Sequence, residues 1–535
     1  MTHDPTHDGD RQTHEPTADA PVPTQTSDTD PGLLSSALRS AGGDAARYLP
    51  VRLLPALASL FTVPIFTAAI GAADYGAYYL ISSVATLLSN ICVGWLSSAL
   101  VRMYWPMKRE KRLDEYTSTL LWSATVSLLA TAMVAGIAAL LFRGALQANV
   151  ARLVPIALLY FVINYLTNVL VQVPRAAKES GAFARLQVAG ALVTTGASVI
   201  FVWWGHLGAA GIFAGGAVGW TILLIPILRH VRTHGSLSPT HFSRSVLSEF
   251  WAYGLPLVPV GISSWALVLI DRFVIQWSAG SAQVGLYSVA YSLGDRIIQL
   301  VTVPLLLAMS PSLIQTFEHQ GQKLAEKVQT QFIRYFALIT FPMLVGLACT
   351  AQSLMRAFTS PAYWSAWPVL AIVAAGSVFS SFSQVATSGL AIHKKTKLIM
   401  GNAIAAATFN LVANVLLVPR WGFMAAAINT VAAYFLMMTL SWWQSRRYMR
   451  LRFPWNDLSR VLVASLVMGA AIWFPFRTAA QTATRAQSLV LVIAQVLIGV
   501  IVYALMLFVV REVRDQEMQL ARELVSRLTR RSANR

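Results

Sequence analysis

Fourteen long apolar runs, separated by short polar segments, fill most of this 535-residue chain. Most of them reach or exceed the roughly 20 residues that an α-helix needs to cross the hydrocarbon core of a bilayer. The pattern therefore predicts an all-α fold, a polytopic membrane protein with about fourteen transmembrane helices.

Composition agrees with this fold class. The chain is 56% hydrophobic and only 12% charged, and its mean hydropathy is +0.57, which is too apolar for a soluble protein. The two cysteines, Cys92 and Cys349, fall in apolar runs in opposite halves of the chain. They indicate neither a disulfide framework nor a metal site.

The predicted helices fall into two sets of six and a final pair. The first set comprises Leu49–Ile70, Tyr75–Val101, Thr117–Phe142, Leu153–Val173, Val188–Trp204 and Ala209–Leu228. The second set comprises Trp251–Trp277, Val284–Leu307, Tyr335–Leu354, Trp367–Ala391, Leu398–Val418 and Phe423–Trp443. The additional helices are Val461–Phe476 and Leu489–Val510.

The distribution of basic residues predicts the orientation. With the N-terminus inside, the inside loops hold 22 Lys and Arg residues and the outside loops hold six. Cytoplasmic loops of membrane proteins carry this excess, so both termini are predicted to be cytoplasmic. The net charge of +18 is then a topological signal, and no nucleic-acid partner is expected.

The two ends of the chain lie outside the predicted membrane region. Residues 1–46 are rich in Thr, Asp, His and Pro, so we expect a disordered cytoplasmic tail with no signal peptide. Residues 511–535 form a basic cytoplasmic tail whose apolar residues recur at helical spacing. This tail is expected either to lie on the anionic leaflet or to remain in solution.

An internal repeat relates the two sets of helices. The sequence GAADYGAY, beginning at Gly71, recurs as GSAQVGLY, beginning at Gly280, which is 209 residues later (280 minus 71). Each set contains an even number of helices, so the two are predicted to be parallel repeats. The repeat predicts an N-terminal lobe (47–228), a cytoplasmic linker (229–250), a C-terminal lobe (251–443) and two additional helices (461–510).

Charged residues interrupt the central hairpin, residues 250–307. Asp271 and Arg272 lie in its first apolar run, and Asp295 and Arg296 lie in its second. An ionised group in hydrocarbon costs at least about 2.5 to 3.5 kcal/mol, so such residues either line a cavity or pair with one another. Adjacent helical residues point about 100° apart, so one residue of each adjacent pair is expected to face a cavity and the other a neighbouring helix. The alternative is two structural ion pairs, Asp271 with Arg296 and Arg272 with Asp295.

Four segments carry a family resemblance. They are LPLVPVGISSWALVLIDRF, AQVGLYSVAYSLGDRI, GAADYGAYYL and LVPRWGFMAAAINTVAAY. With them the chain resembles, from about Arg47 to Val510, the lipid-linked oligosaccharide flippases of polysaccharide export (Wzx type). These flippases belong to the multidrug/oligosaccharidyl-lipid/polysaccharide transporter superfamily.

The resemblance implies two six-helix lobes around a central cavity that opens alternately to either side. The implied function is flipping of polyprenyl-diphosphate oligosaccharides across the cell inner membrane, for lipopolysaccharide or exopolysaccharide biosynthesis. The implied partners are the lipid-linked oligosaccharide and membrane lipids, together with the polysaccharide polymerase and glycosyltransferases of the pathway.

Four arginines are candidates for binding the diphosphate, because a guanidinium stays charged and can donate two hydrogen bonds to it. They are Arg52, Arg102, Arg272 and Arg296. Arg52 and Arg102 also lie close enough to the membrane surface to extend into the headgroups. Arg272 and Arg296 also fit the structural ion pairs described above.

Asp271 and Asp295 are the candidates for ion coupling. The chain has no Gly-x-x-x-x-Gly-Lys nucleotide motif, so uphill transport would need an ion gradient, which a buried carboxylate can sense. Asp271 is favoured because it lies about 14 Å from the Gly280 turn, near mid-membrane depth. The alternative is downhill transfer, drawn by polymerisation outside, in which neither residue titrates.

No cofactor, metal site or catalytic group is predicted, and the chain is not expected to be an enzyme. A membrane glycan polymerase or ligase is disfavoured because the predicted outer loops are short. A drug/cation antiporter of the same superfamily is the other alternative. Asn410 and Asn414, one turn apart, are predicted to form hydrogen bonds between helices.

Overall fold

The structure is a computed structural model that describes residues 57–58, 60–144, 146–450 and 453–512. These residues are almost entirely helical and include no strand, which confirms the predicted all-α membrane fold. Eleven helical stretches in the described part of the chain are long and apolar enough to cross a membrane. The exact count of fourteen spans stays a prediction, because two of these stretches contain a break and the first predicted helix is only partly described.

The described part of the first helix set contains seven helices. Their bounds are α1 Leu60–Ala69, α2 Ala72–Ser89, α3 Trp95–Arg109, α4 Leu113–Leu141, α5 Ala148–Ala176, α6 Ser180–Trp203 and α7 Gly208–Arg232. A π-helical turn, Asn90–Gly94, joins α2 to α3 without reversing the chain. Helix α2, this turn and α3 together span 38 residues, about 57 Å at 1.5 Å per residue.

The second helix set follows a linker, residues 233–243, and the short helix α8, Arg244–Gly254. It comprises α9 Val258–Ala279, α10 Ser281–Gln320, α11 Gln322–Phe358, α12 Trp367–Ile392 and α13 Thr396–Ser445. The last two helices are α14 Trp455–Thr482 and α15 Arg485–Val509. Helix α13 is broken at Gly422, where φ is 64°.

The predicted seventh helix, Trp251–Trp277, is not continuous. A 3₁₀ turn at Leu255–Leu257 separates α8 from α9. Pro256 has no N–H to donate and its ring crowds the preceding turn, which favours a break in the α-helix at this point. We call Leu255–Leu257 the hinge turn.

The helices run between two ends of the bundle. We call the end that contains Gly71 and Gly280 the glycine end, and the end that contains the linker the linker end. Helix α10 is 40 residues long, about 60 Å, and continues well past the predicted end at Leu307. It is about twice as long as a membrane crossing requires.

The two helix sets touch closely at the glycine end, where α2 packs against α10. A Cβ atom added to Gly76 would overlap the backbone oxygen of Ser281, and one added to Gly285 would overlap that of Ala72. These two glycines are equivalent residues of the internal repeat. The Tyr363 hydroxyl adds a 2.9 Å hydrogen bond to the Ile70 carbonyl.

The linker is bound to the first helix set. The Ser236 N–H donates to Asp114 Oδ1 over 2.6 Å, and the Thr117 hydroxyl donates to the Ser236 carbonyl over 2.7 Å. The Ser118 hydroxyl donates to the Ser238 carbonyl over 2.6 Å. The linker is therefore fixed along the first turns of α4.

Helix α8 is bound to the same set. Arg112, in the turn between α3 and α4, donates to Ser245 over 2.8 Å and approaches Glu249 at 3.5 Å. The rings of Trp95 and Trp251 meet edge to face, with centroids 4.9 Å apart. The chain is thus attached to the first helix set along its whole course up to the hinge turn.

A buried ion pair attaches the end of α15 to α11. Arg334 Nε lies 2.6 Å from Glu512 Oε1, and both side chains are almost fully buried. Arg334 also donates to the Glu512 carbonyl over 2.6 Å. Because such a pair is costly to break once it is buried, it fixes the additional helices to the second set.

Candidate functional site

A tight reversal at Gly280 brings α9 and α10 together. Gly280 adopts φ 81° and ψ 175°, a conformation that is essentially restricted to glycine. The two helices therefore run antiparallel from the glycine end. This arrangement places Asp271 of α9 beside Tyr287 of α10.

Asp271 and Arg272 form a buried ion pair with each other. Arg272 Nη1 lies 2.9 Å from Asp271 Oδ1, and the two side chains are 3% and 1% exposed, respectively. The Arg272 N–H donates to the same oxygen over 2.8 Å. The Tyr287 hydroxyl donates to the other carboxylate oxygen, Oδ2.

Three further contacts surround the Arg272 guanidinium. Nη1 also donates to the Val268 carbonyl over 2.8 Å, and the group stacks on Tyr291, 4.8 Å from the ring centroid. The third contact is with the ring of Tyr287, whose centroid lies 5.7 Å from the guanidinium carbon. Desolvated cation–π contacts are worth about 2 kcal/mol, so this cation is enclosed by its own helix hairpin.

The alternative ion pairs of Asp271 with Arg296 and of Arg272 with Asp295 are not formed. The argument that adjacent helical residues diverge by about 100° applies to their Cα–Cβ bonds. An arginine side chain is long and flexible enough to turn back to the neighbouring carboxylate. The structure accordingly pairs Asp271 with Arg272.

Buried amides extend the polar cluster into α13. Thr430 lies near the Tyr287 hydroxyl and accepts from Asn410 Nδ2 over 3.4 Å. Asn414 donates to Asn410 over 3.1 Å, and Asn429 donates to Asn414 over 3.0 Å. The prediction that Asn410 and Asn414 form interhelical hydrogen bonds is confirmed, because Asn429 and Thr430 lie beyond the break at Gly422.

Asp295 lies two turns further along α10 than Tyr287 and is half-buried. Its Oδ1 accepts from the Ser377 hydroxyl of α12 over 2.7 Å, and its Oδ2 accepts from Gln299 over 2.7 Å. Among the residues that the structure describes, no Lys, Arg or His forms an ion pair with it. The carboxylate therefore has neutral partners.

Arg296 has a different environment from Arg272. It is half-buried, and within the described ranges its guanidinium forms no hydrogen bond and no ion pair. Its charge lies close to Tyr78, on α2 of the other helix set. Arg296 therefore lies near the contact between the two sets, and no carboxylate of the described residues pairs with it.

Arg102 lies away from this cluster. It is exposed near the linker-end terminus of α3 and lines an open groove of about 800 Å³ together with Trp105, Arg109 and Tyr253. The structure does not bring Arg102 to the α9–α10 hairpin. Arg52 lies outside the described residues.

Sequence reasoning missed Tyr287, Ser377 and Thr430. Tyr287 could have been identified, because it is the tyrosine of the repeated glycine motif and lies 16 residues after Asp271. Ser377 and Thr430 follow Asp271 by more than 100 residues and carry no local motif. Only the packing of α12 and α13 against α10 brings them to this site.

Comparisons with known proteins place these observations in a family. A family model described as "Polysaccharide biosynthesis protein" matches residues 69–367, which is more than half of the chain. An uncharacterised membrane protein of Methanocaldococcus jannaschii is 25% identical over 203 residues, covering 38% of this chain and 40% of the relative.

A second relative, from Haloferax volcanii, is described as the probable low-salt glycan biosynthesis flippase Agl15. It is 21% identical over 253 residues, covering 47% of this chain and 51% of the relative. The chain therefore matches about half of the length of these curated relatives.

A solved structure has the same fold. The lipid II flippase MurJ, in an inward closed conformation, superposes with a TM-score of 0.66 at 15% identity, covering 88% of this chain and 97% of that one. At this identity the similarity concerns the fold. Together with the family match over residues 69–367, it shows that the chain belongs to the polysaccharide biosynthesis protein family.

Proposed function

We propose that this protein flips polyprenyl-diphosphate-linked oligosaccharides across the cell inner membrane by alternating access between its two helix sets. Family membership supports this function, as do the flippase described among its relatives and the fold shared with MurJ. The glycan would serve cell-surface polysaccharide biosynthesis. The enzymes that load and polymerise it would be the functional partners.

Arg296 is the observation that carries the proposal. An arginine within a membrane helix is expensive unless it has a partner or faces water, and Arg296 has no carboxylate partner among the described residues. A diphosphate moving between the helix sets would supply the missing negative charge. Its oxygens suit the paired N–H groups of a guanidinium.

The other predicted arginines receive different roles. Arg272 is held by Asp271 and two tyrosine rings, so we assign it to positioning the hairpin and not to binding the diphosphate. Arg102, with Arg109 beside it in the open groove, would make an early contact with the anionic headgroup. For Arg52 the proposed role in binding rests on the sequence alone.

Ion coupling remains part of the proposal, and the geometry favours Asp295 as the titrating residue. A proton taken up by Asp271 would leave the Arg272 guanidinium buried without a counter-charge, which is costly. Asp295 has only neutral partners in the described structure, so its protonation would break no ion pair. This reverses the preference for Asp271 that depth alone suggested.

A drug/cation antiporter is the second candidate function. The same carboxylate supports it, because Asp295 could bind a cationic substrate directly. A glycan polymerase or ligase has less support. The described connections at the glycine end are short, and the longest, residues 359–366, is largely a 3₁₀ turn.

The test is a flipping assay with a fluorescent polyprenyl-diphosphate oligosaccharide in reconstituted vesicles. Arg296→Ala should reduce the initial rate by about 10- to 100-fold, the value of a charge-assisted hydrogen bond of about 1.5 to 3 kcal/mol. Arg143→Ala, which removes an exposed arginine at the glycine end, is the matched control. Normal flipping by Arg296→Ala would refute the binding role.

The same vesicles separate the alternatives. Coupling predicts that flipping by the unmodified protein depends on an imposed ion gradient. In Asp295→Asn the rate of flipping should no longer depend on that gradient. Gradient-driven efflux of an organic cation, without flipping of the lipid-linked sugar, would establish the antiporter instead.

We also propose that the linker end and both termini are cytoplasmic. A cysteine introduced at exposed Thr240 should resist an impermeant thiol reagent added to intact cells, and one at exposed Thr482 should react. Both variants require replacement of the free Cys92 and Cys349. Labelling at Thr240 with protection at Thr482 would invert the topology.

A further inference from the structure

Two histidines and a glutamate meet at the linker end, far from the α9–α10 hairpin. Glu179 precedes α6, His230 lies in the last turn of α7, and His234 follows that helix. Their candidate ligand atoms lie within 4.8 Å of one another. We propose that these residues form a binding site for one divalent transition-metal ion of the Zn²⁺ class, although the sequence predicted no metal site.

The backbone brings the three side chains together from two separate elements. His230 and His234 are four residues apart, so they project from one face of the chain as α7 ends. Lys178 adopts φ 64°, which turns the chain between α5 and α6 and directs Glu179 toward them. His230 Nε2 lies 2.8 Å from Glu179 Oε2, and His234 Nε2 lies 3.3 Å from Glu179 Oε1.

The hydrogen bond at the other side of the His234 ring favours a metal ligand. Nδ1 lies 3.1 Å from the His230 carbonyl oxygen, which can only accept. The Thr233 hydroxyl, 3.2 Å from the same nitrogen, donates to that carbonyl over 2.7 Å, so these contacts favour a proton on Nδ1. In a neutral ring Nε2 then presents a lone pair, and this lone pair faces the lone pairs of Glu179. A cation between the two atoms would turn this repulsion into coordination.

An Nδ1–H to carbonyl hydrogen bond is also how proteins commonly orient a metal-binding histidine. The His234 side chain is only 7% exposed, and its ring packs edge to face on Tyr104, with centroids 6.0 Å apart. The ligand is therefore held in place before any metal binds.

The distances suit a small tetrahedral ion. With bonds of about 2.0 to 2.2 Å to nitrogen and oxygen, two ligands of a tetrahedral Zn²⁺ are about 3.3 Å apart. The His234–Glu179 distance of 3.3 Å has this value, and the 2.8 Å contact of His230 would lengthen slightly. Two histidines and a carboxylate are an established zinc donor set, with water completing the coordination.

A bound ion would join the turn between α5 and α6 to the first residues of the linker. His234 lies two residues before Ser236, whose backbone is hydrogen-bonded to Asp114 and Thr117. The site would therefore add a metal cross-link to the attachment of the linker. The proposal of a metal site does not depend on the proposed transport function.

The experiment uses full-length protein in detergent, purified with a tag that contains no histidine. The background variant replaces the tail residues His3, His7 and His14 with alanine, because they could bind metal independently. Co²⁺ is titrated and followed by its visible absorption, and competition with Zn²⁺ then gives the affinity and stoichiometry. We expect one Co²⁺ per chain, displaced by Zn²⁺.

Three variants and a control decide the outcome. His230→Ala, His234→Ala and Glu179→Gln should each weaken binding at least about tenfold, whereas His241→Ala, which changes an exposed histidine of the linker, should bind normally. Glu179→Gln retains the size of the side chain, and a thermal melt without metal checks the folding of each variant.

Absence of a one-to-one complex would overturn the proposal, as would equal binding by all four variants. Stabilisation of the protein by acid without any Co²⁺ spectrum would identify the cluster as a pair of protonated histidines on Glu179, which also contradicts the metal site.

Discussion

The two helix sets share a turn motif and a helix order, but only the second carries the two adjacent Asp–Arg pairs in the hairpin around that motif. Subtracting the repeat offset of 209 residues from Asp271 and Arg272 gives Thr62 and Val63. The same subtraction from Asp295 and Arg296 gives Thr86 and Leu87. None of these four equivalent residues has an ionisable side chain. The repeat has preserved the fold and not the chemistry.

The conserved element of the repeat, its tyrosine, shows what this difference does. Tyr287 donates to Asp271 within its own helix set. The equivalent Tyr78 instead packs beside Tyr75 and Tyr79 and lies near Arg296 of the other set. The first set therefore supplies an aromatic surface, and the second set supplies the charge that faces it.

The largest expected effect on transport comes from moving the charge between the sets. Arg296→Leu should lower lipid-linked sugar flipping by about 10- to 100-fold, and adding Leu87→Arg should not restore it. Leu87 is half-buried and is the repeat equivalent, so the double variant tests whether the charge must lie on α10. Restored flipping would mean that the two sets are chemically interchangeable.

Removing half of the buried ion pair should affect folding more than a comparable change in the first set. Asp271→Asn leaves Arg272 buried without its counter-charge and should cost about 3 to 5 kcal/mol of stability. Replacing both residues, Asp271→Asn with Arg272→Gln, should recover most of that loss. Thermal unfolding in detergent measures the stability of both variants. The control is Asp74→Asn, which changes an exposed residue of the first set.

If Asp271→Asn unfolded no earlier than Asp74→Asn, the pair would contribute nothing to folding. If the double variant were stable and also inactive in flipping, Arg272 would have a role beyond positioning.

The smallest expected effect concerns the close packing of Gly76 and Gly285, which are equivalent residues of the two sets. Gly76→Ala and Gly285→Ala should each cost about 1 to 3 kcal/mol, because the new methyl group overlaps backbone of the opposite set. A short bifunctional thiol reagent should join cysteines placed at Gln147 and Ser281, whose side chains are hydrogen-bonded across the two sets, less readily in both variants.

Gly71→Ala is the matched control, since nothing lies within 4 Å of its added Cβ and its φ is −68°. Unchanged cross-linking in the Gly76 and Gly285 variants would show that the glycine end tolerates separation of the helix sets.

Much of the fold could be predicted because membrane helices are specified locally. The apolar runs, the reversal at Gly280 and the separation of two helices near Gly422 all follow from residues that are close in sequence. Helix ends were less predictable. Helix α10 continues past Leu307 as a polar helix, where hydropathy no longer distinguishes a helix from a loop.

The site was predictable in its residues but not in its contacts. The charges of the hairpin stand out in an apolar run, so Asp271, Arg272, Asp295 and Arg296 were found from sequence. Their partners depend on which faces of distant helices meet, as with Asp295 and Ser377. Local spacing contains no information about a contact of that kind.

The hinge turn also determines how far the helix sets can move. Because the linker and α8 are fastened to the first set, a rigid rotation of the second set would pivot at Leu255–Leu257. Helix α9 has 22 residues and acts as a lever about 33 Å long. A rotation of about 10° at one end would displace the Gly280 turn by about 6 Å, enough to separate the two glycine backbones without bending any helix.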